Sequence, residues 1–226
     1  MTHILDRPIW QTLNGAHAVL GMGGPLARRF RPDIHILGAA ADDGAEAQAA
    51  LAALVPDEGE LGLVEPVAPG PLAAAEQTFN AIIEQMVLGD WTPPKPREVN
   101  WQPLGEADAA DMLELATLTK PGPYVLGTHR LGDFVGIRRE GRLVAMAGER
   151  MKPPGYTEVS AVCTHPDARG HGFGAQLMAV VIERALARGD GVFLHAFPGN
   201  SAVAIYEALG FRKRRDMHYV RYARTI

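Results

Sequence analysis

Two periodicities meet at residue 165. Ahead of it, Val159-Ser160-Ala161-Val162-Cys163 is a short apolar, partly β-branched run of the kind that fills a buried strand. After it, apolar residues repeat at Leu177, Val181 and Ala185 and again at Met178, Ile182 and Leu186. This is the spacing of one helix face, and it predicts a helix over residues 175–188. His165-Pro166-Asp167 breaks the first pattern and Arg169-Gly170-His171-Gly172-Phe173-Gly174 opens the second, so the stretch reads as strand, tight loop and helix start.

The same patterns place the other elements. Residues 98–104 alternate as a strand. A helix is expected over 108–118, stopped by Pro121-Gly122-Pro123, and strands over 134–137 and 143–147 flank the turn Arg139-Glu140-Gly141-Arg142. A buried strand follows at 192–196, then a helix over 202–209 closed by Gly210, and a strand pair from Phe211 to Tyr222. The first third predicts strands at 9–13 and 18–20 around Asn14-Gly15, a weak one at 33–37 and another at 61–64. An alanine-rich helix is expected over 45–54. A second is expected over 73–88, with Phe79, Ile82, Ile83, Met86 and Val87 as its apolar positions. Gly21-Met22-Gly23-Gly24 is followed at once by Pro25 and reads as a turn.

Asp90-Trp91-Thr92-Pro93-Pro94-Lys95-Pro96 resists helix and central strand alike, because proline lacks the amide donor and fixes φ. The expectation is therefore an N-terminal α/β domain over 1–90, a Pro-rich linker over 91–96 and a larger domain over 97–226. The order of elements also allows the first domain to be a degenerate copy of part of the second.

Composition narrows the class. The chain has 226 residues with 47% hydrophobic and 21% charged content, which suits a water-soluble protein able to bury a core. A net charge of -4 argues against a nucleic-acid partner, which needs a positive field. The first seven residues lack the layout of a signal peptide and no apolar stretch would span a bilayer, so no membrane partner is expected. With Cys163 as the single cysteine there is no intrachain disulfide, and a cytoplasmic setting follows.

The glycine loop carries the chemistry. Amides without intrahelical partners and the positive end of the helix dipole favour an anion at a helix entry, and glycine lets a phosphate approach the backbone. Arg169-x-x-Gly172-x-Gly174 lacks the first glycine of the dinucleotide fingerprint and the Gly-Lys-Ser/Thr of a Walker loop. It resembles instead the pyrophosphate loop of the GNAT N-acetyltransferase superfamily, Arg or Gln, two residues, Gly, one residue, then Gly or Ala. Asn200 with Ala204-Ile205-Tyr206-Glu207-Ala208-Leu209-Gly210-Phe211 resembles the second signature of that family. The resemblance covers residues 97–226 and implies a mixed α/β (α+β) sheet whose strands splay to admit acetyl-CoA as co-substrate. The fold this resemblance implies is a GNAT fold preceded by the smaller α/β domain.

What the resemblance implies for individual residues is an expectation of cofactor contacts from Val162, Cys163, Thr164, Arg169, Gly170, His171, Gly172, Phe173, Gly174, Asn200 and Tyr206. The backbone amides of Val162 and Thr164 match the positions that hold the acetyl carbonyl and pantetheine arm. Tyr206 is expected to donate a proton to the departing thiolate. Period-two geometry puts Glu158, Ser160 and Val162 on one face, and Glu158 matches the catalytic glutamate of the histone-modifying branch, so it is the first candidate base. Glu149 on the adjacent strand is the second. His165 as a proton relay and Cys163 as a nucleophile are the weaker alternatives. The eight histidines show no ligand spacing, so no metal is expected. Direct acetyl transfer to a primary amine of a small molecule or peptide is the activity implied. An acyl-CoA-binding sensor or scaffold without turnover, and acetylation of a protein amino terminus or lysine, stay open. The acceptor and the oligomeric state are not legible.

Overall fold

A computed structural model describes residues 3–225. After a 3-10 turn at Ile4–Asp6 comes α1 (Pro8–Leu13), followed by β1 (Gly21–Gly23), β2 (Ala27–Phe30) and β3 (Gly38–Ala40), which form a three-stranded antiparallel sheet. Next come α2 (Ala45–Ala53), β4 (Leu61–Glu65) and β5 (Ala75–Leu88). The second half runs β6 (Trp101–Leu104), α3 (Ala109–Thr119), β7 (Phe134–Arg139), β8 (Arg142–Glu149), β9 (Tyr156–Thr164), α4 (Phe173–Ala187), β10 (Gly191–Ala196), α5 (Val203–Ala208) and β11 (Phe211–Arg224). An eight-stranded sheet in the order β4-β11-β5-β10-β9-β8-β7-β6 dominates, antiparallel throughout except for β9 and β10.

Both faces of this sheet are covered. Helix α4 places Leu177, Met178, Val181, Ile182 and Ala185 against Val159, Val192 and Leu194. The opposite face packs under α3 through Met112, Leu115 and Ala116, and under the N-terminal segment through Leu5, Ile9, Leu13 and Phe30. Burying two faces explains why the central strands are continuous apolar runs.

Several expectations are corrected. Residues 9–13 form a helix, not a strand: Pro8 occupies its first position, and Ile9, Thr12 and Leu13 are buried at helical spacing. Residues 18–20 form a turn of 3-10 helix, and 33–37 contribute only a bridge from Leu37 to Gly62. Residues 75–88 are the strand β5, not a helix. Its apolar residues serve two cores, Ile83 and Val87 facing the N-terminal segment and Met86 and Leu88 facing α4, and this double use imitates a helical repeat. Residues 211–224 are one long strand, not a pair.

The boundary expected at residues 91–96 does not divide two sheets, because β4 and β5 precede it and β5 lies between β10 and β11. The proline stretch carries the chain from the middle of the sheet to its β6 edge. On the way Lys95 accepts from the Gln176 amide at 3.0 Å, beside the start of α4. Among the described residues no helix is long and apolar enough to cross a membrane.

Candidate functional site

Strands β9 and β10 are parallel neighbours only over Tyr156–Glu158 and Gly191–Phe193. Beyond that point they part. Ala161 has φ 52°, and the pairing of β8 with β9 slips between Met146↔Cys163 and Gly148↔Ser160, the signature of a bulge. The extra residue reverses the alternation, so Val162 packs on the α4 side together with Val159. The expected face of Glu158, Ser160 and Val162 is therefore broken: Glu158 sits on the other side of the sheet from Val162. A cleft of about 690 Å³ occupies the gap, a volume suited to a small-molecule site.

At one end lies the glycine loop. Gly170 and Gly172 have φ of 80° and 76°, which only glycine adopts without strain. Gly172 precedes the 15 residues of α4, leaving that helix's first amides without partners. Arg169, Gly170, Gly172, Phe173 and Gly174 line the cleft, as do Val162, Cys163, Thr164, Asn200 and Tyr206. His171 does not line it. Its ring stacks on Phe173 with centroids 5.4 Å apart, and Nδ1 lies 3.0 Å from the Arg169 carbonyl. Asn200 accepts from the Ala202 amide at 2.9 Å, which shapes the turn into α5. Arg97, from the end of the proline stretch, donates to the His171 carbonyl at 3.1 Å and lies against Gly172, where a Cβ would meet its Nε at 3.1 Å.

Tyr206 is buried and lines the cleft where the loop end meets α5. Burial raises its pKa, so the hydroxyl remains a donor at neutral pH. Burial also pushes the Cys163 thiol up to about 11, which makes it a poor nucleophile. His165 accepts from the Asp167 amide at 3.2 Å and lies outside the cleft lining.

Neither candidate carboxylate reaches the cleft surface. Glu158 is wholly buried and accepts from Arg150 Nε at 2.8 Å and Nη2 at 2.7 Å, and from His195 Nδ1 at 2.7 Å. Desolvation opposes its charge, but Arg150 and His195 overcome it and hold the carboxyl down at about 2. So saturated and so acidic a group is a poor proton acceptor, and this corrects the expectation of Glu158 as base. Glu149 is also wholly buried. It pairs with Lys152 at 2.6 Å and with Arg188, and accepts from the Asp133 amide at 3.1 Å, all away from the cleft. Its role is an ion-pair anchor for α4.

His195 does line the cleft. Gln85 settles its orientation. Gln85 Oε1 accepts from Arg214 at 2.8 Å and its Nε2 donates to the Leu5 carbonyl at 2.9 Å, so the same amide nitrogen donates to His195 Nε2 at 3.2 Å. That leaves the proton on Nδ1, aimed at Glu158, and engages both ring nitrogens. The other end of the cleft is thus an apolar wall of Leu37, Val64, Ile83, Phe197 and Tyr219 around a polar floor of Arg150 and His195.

Comparison with solved structures identifies this architecture. A protein assigned to the GNAT acetyltransferases from Novosphingobium aromaticivorans is 39% identical, matches with a TM-score of 0.90, and 100% of each chain is covered. The chain belongs to the GNAT family. Residues 134–221 match the family described as FR47-like protein. A GCN5-related N-acetyltransferase from Kribbella flavida, 20% identical, matches over 90% of this chain and 88% of its own with a TM-score of 0.58. A GCN5-related N-acetyltransferase-like protein from Streptococcus suis, 15% identical, does so over 95% and 92% with a TM-score of 0.59. These shares show that the GNAT-like fold extends into the N-terminal segment. No curated protein matches the chain. Among the described residues no group of three His, Cys, Asp or Glu side chains is placed to hold a metal.

The GNAT signatures thus converge on one cleft, while Arg97, Arg150, His195 and Tyr219 join it without a motif. Arg97 has a faint signal as the basic residue that ends a proline run. Arg150 and His195 have none, because their value comes from pairing with Glu158 across strands.

Proposed function

We propose that the protein transfers an acetyl group from acetyl-CoA to the primary amine of a small molecule. The observation that carries this reading is a continuous cleft with a glycine-lined helix entry at one end and an apolar acceptor space at the other, joined at the β9 bulge. The residues fit the cofactor: the free amides of α4, with Arg169 and Arg97 beside them, suit a pyrophosphate, and the β9 backbone at Val162 and Thr164 suits the arm that leads to the acyl carbon. Acetyl-CoA supplies the activated acyl group. Backbone amides at the bulge orient its carbonyl and stabilise negative charge as it develops there. Tyr206 donates a hydrogen bond to the departing sulfur.

Deprotonation of the amine falls to water in the cleft. The lining tyrosines are held protonated, Tyr219 being pushed up to about 12 by burial, and His195 has both nitrogens engaged. The test is release of free thiol from acetyl-CoA against a panel of amines. Acetylated amine formed in step with thiol supports transfer. Tight CoA binding with no turnover of any amine would assign the protein to binding alone.

A further inference from the structure

Among the described residues, no aspartate or glutamate lines the cleft, whereas Arg97, Lys120, Arg150 and Arg169 all do. Arg97 and Arg169 flank the glycine loop and answer to phosphate. Arg150 does not: it shares the far end with His195, Tyr219 and the apolar wall. Its side chain is 12% exposed, and Glu158 engages only the Nε and Nη2 edge of a guanidinium that carries five N–H donors. Among the described residues nothing accepts from Nη1, and Arg150 lines the cleft. A donor edge left unmatched beside an apolar wall calls for an acceptor brought by the ligand.

We infer that the acceptor is an amino acid: a primary amine carrying a carboxylate, which Arg150 receives, and an apolar side chain, which packs against Leu37, Val64 and Ile83. This deepens the acetyl-transfer reading and rests on it. The Glu158–His195–Gln85 chain of hydrogen bonds then has a purpose, since it locks the guanidinium in one rotamer and leaves a single edge for the ligand. The lining also disfavours polyamines and lysine-rich peptides, because a second positive charge would find no carboxylate there.

Matched amines test this on the unaltered protein: phenylalanine against phenylalaninamide and phenethylamine, and leucine against leucinamide and 3-methylbutylamine, each with saturating acetyl-CoA. The free acids should show kcat/KM higher by about tenfold or more, carried mainly by KM, the size of one charge-assisted hydrogen bond. The amides enter with the more easily deprotonated amine, so the bias runs against the prediction. Arg150→Lys, which keeps a cation opposite Glu158 but loses the fork, should shrink the preference. Amides or decarboxylated amines turned over as well as the acids would overturn the inference while leaving acetyl transfer standing. If no amine releases thiol, acetyl transfer fails, and calorimetry of the CoA-loaded protein still decides the carboxylate question. N-acetylphenylalanine binding in preference to its amide upholds the inference, and equal or absent binding of the two overturns it.

Discussion

The two ends of the cleft are made by different means. The glycine-loop end is local: a strand, a bulge, a loop with two left-handed glycines and a helix entry, all within residues 156–187, and mostly backbone. The far end is assembled from side chains at positions 37, 64, 83, 150, 195 and 219, which meet only because β5 enters the sheet between β10 and β11. Backbone recognition needs a short pattern of small residues and is therefore written as a motif. Side-chain recognition at a distance is written as unrelated residues, each unremarkable alone.

The sharpest way to break this contrast is at the backbone end. Gly172→Glu forces a side chain into left-handed φ, fills the cradle and gives Arg97 an internal partner. CoA affinity should fall by about a hundredfold or more with the circular dichroism unchanged, and wild-type affinity by calorimetry would remove the loop from the site. Tyr206→Phe keeps the ring and deletes the donor where the two ends meet. Turnover should fall by about tenfold to a thousandfold with little change in acetyl-CoA affinity, the pattern of an interaction made in the transition state. Wild-type turnover with chemistry rate-limiting would reduce Tyr206 to packing.

At the side-chain end the expected damage is to stability. Glu158→Ala leaves Arg150 buried without its partner and should cost about 3–5 kcal/mol, measured by urea unfolding. The pH dependence carries a sign. Glu158 is held down at about 2 from an ordinary 4.5, so its stabilisation is full above 4.5 and is lost as pH falls toward 2. The variant should show a flatter acid limb than the wild type. An unchanged acid limb would mean that Glu158 is not the paired carboxylate described. The smallest effect is expected from Arg97→Ala, about threefold to tenfold in CoA affinity, because this guanidinium is solvent-exposed and screened. Its loss should also weaken the salt dependence of binding, and a salt response equal to wild type would place Arg97 outside the phosphate contacts.

Legibility in the sequence follows the same division. The glycine loop, α4, the β7–β8 hairpin and the turn at Asn200 were readable because each depends on neighbours in sequence. The apolar spacing over 73–88 predicts a helix where the strand β5 forms, because β5 serves a core on each face and period-two alternation is erased. The bulge at Ala161 was invisible for a related cause: alanine carries no mark of a left-handed backbone, and the slip changes every face assignment after it. Glu158 stands out in the sequence only through its expected face with Val162 and its match to the family's glutamate, and the bulge removes the first of these. Its partners, Arg150 just past the end of β8 and His195 on β10, are remote in pattern, so the sequence does not distinguish a base from a buried ion pair.

The insertion of β5 also bears on how the polypeptide is made. Gln85 and His195 are hydrogen-bonded across 110 residues, and β11 pairs with β4 and β5 at its two edges. A nascent chain emerging from the ribosome must hold β4 and β5 without their partners until β10 and β11 have been translated. Two apolar strands wait exposed through most of synthesis, a topology that folds slowly and invites chaperone capture. Deleting the first 90 residues does not spare the remainder this problem. It strips β10 and β11 of the strand that separates them, and the shortened protein would display two unpaired inner edges where the whole molecule has its centre.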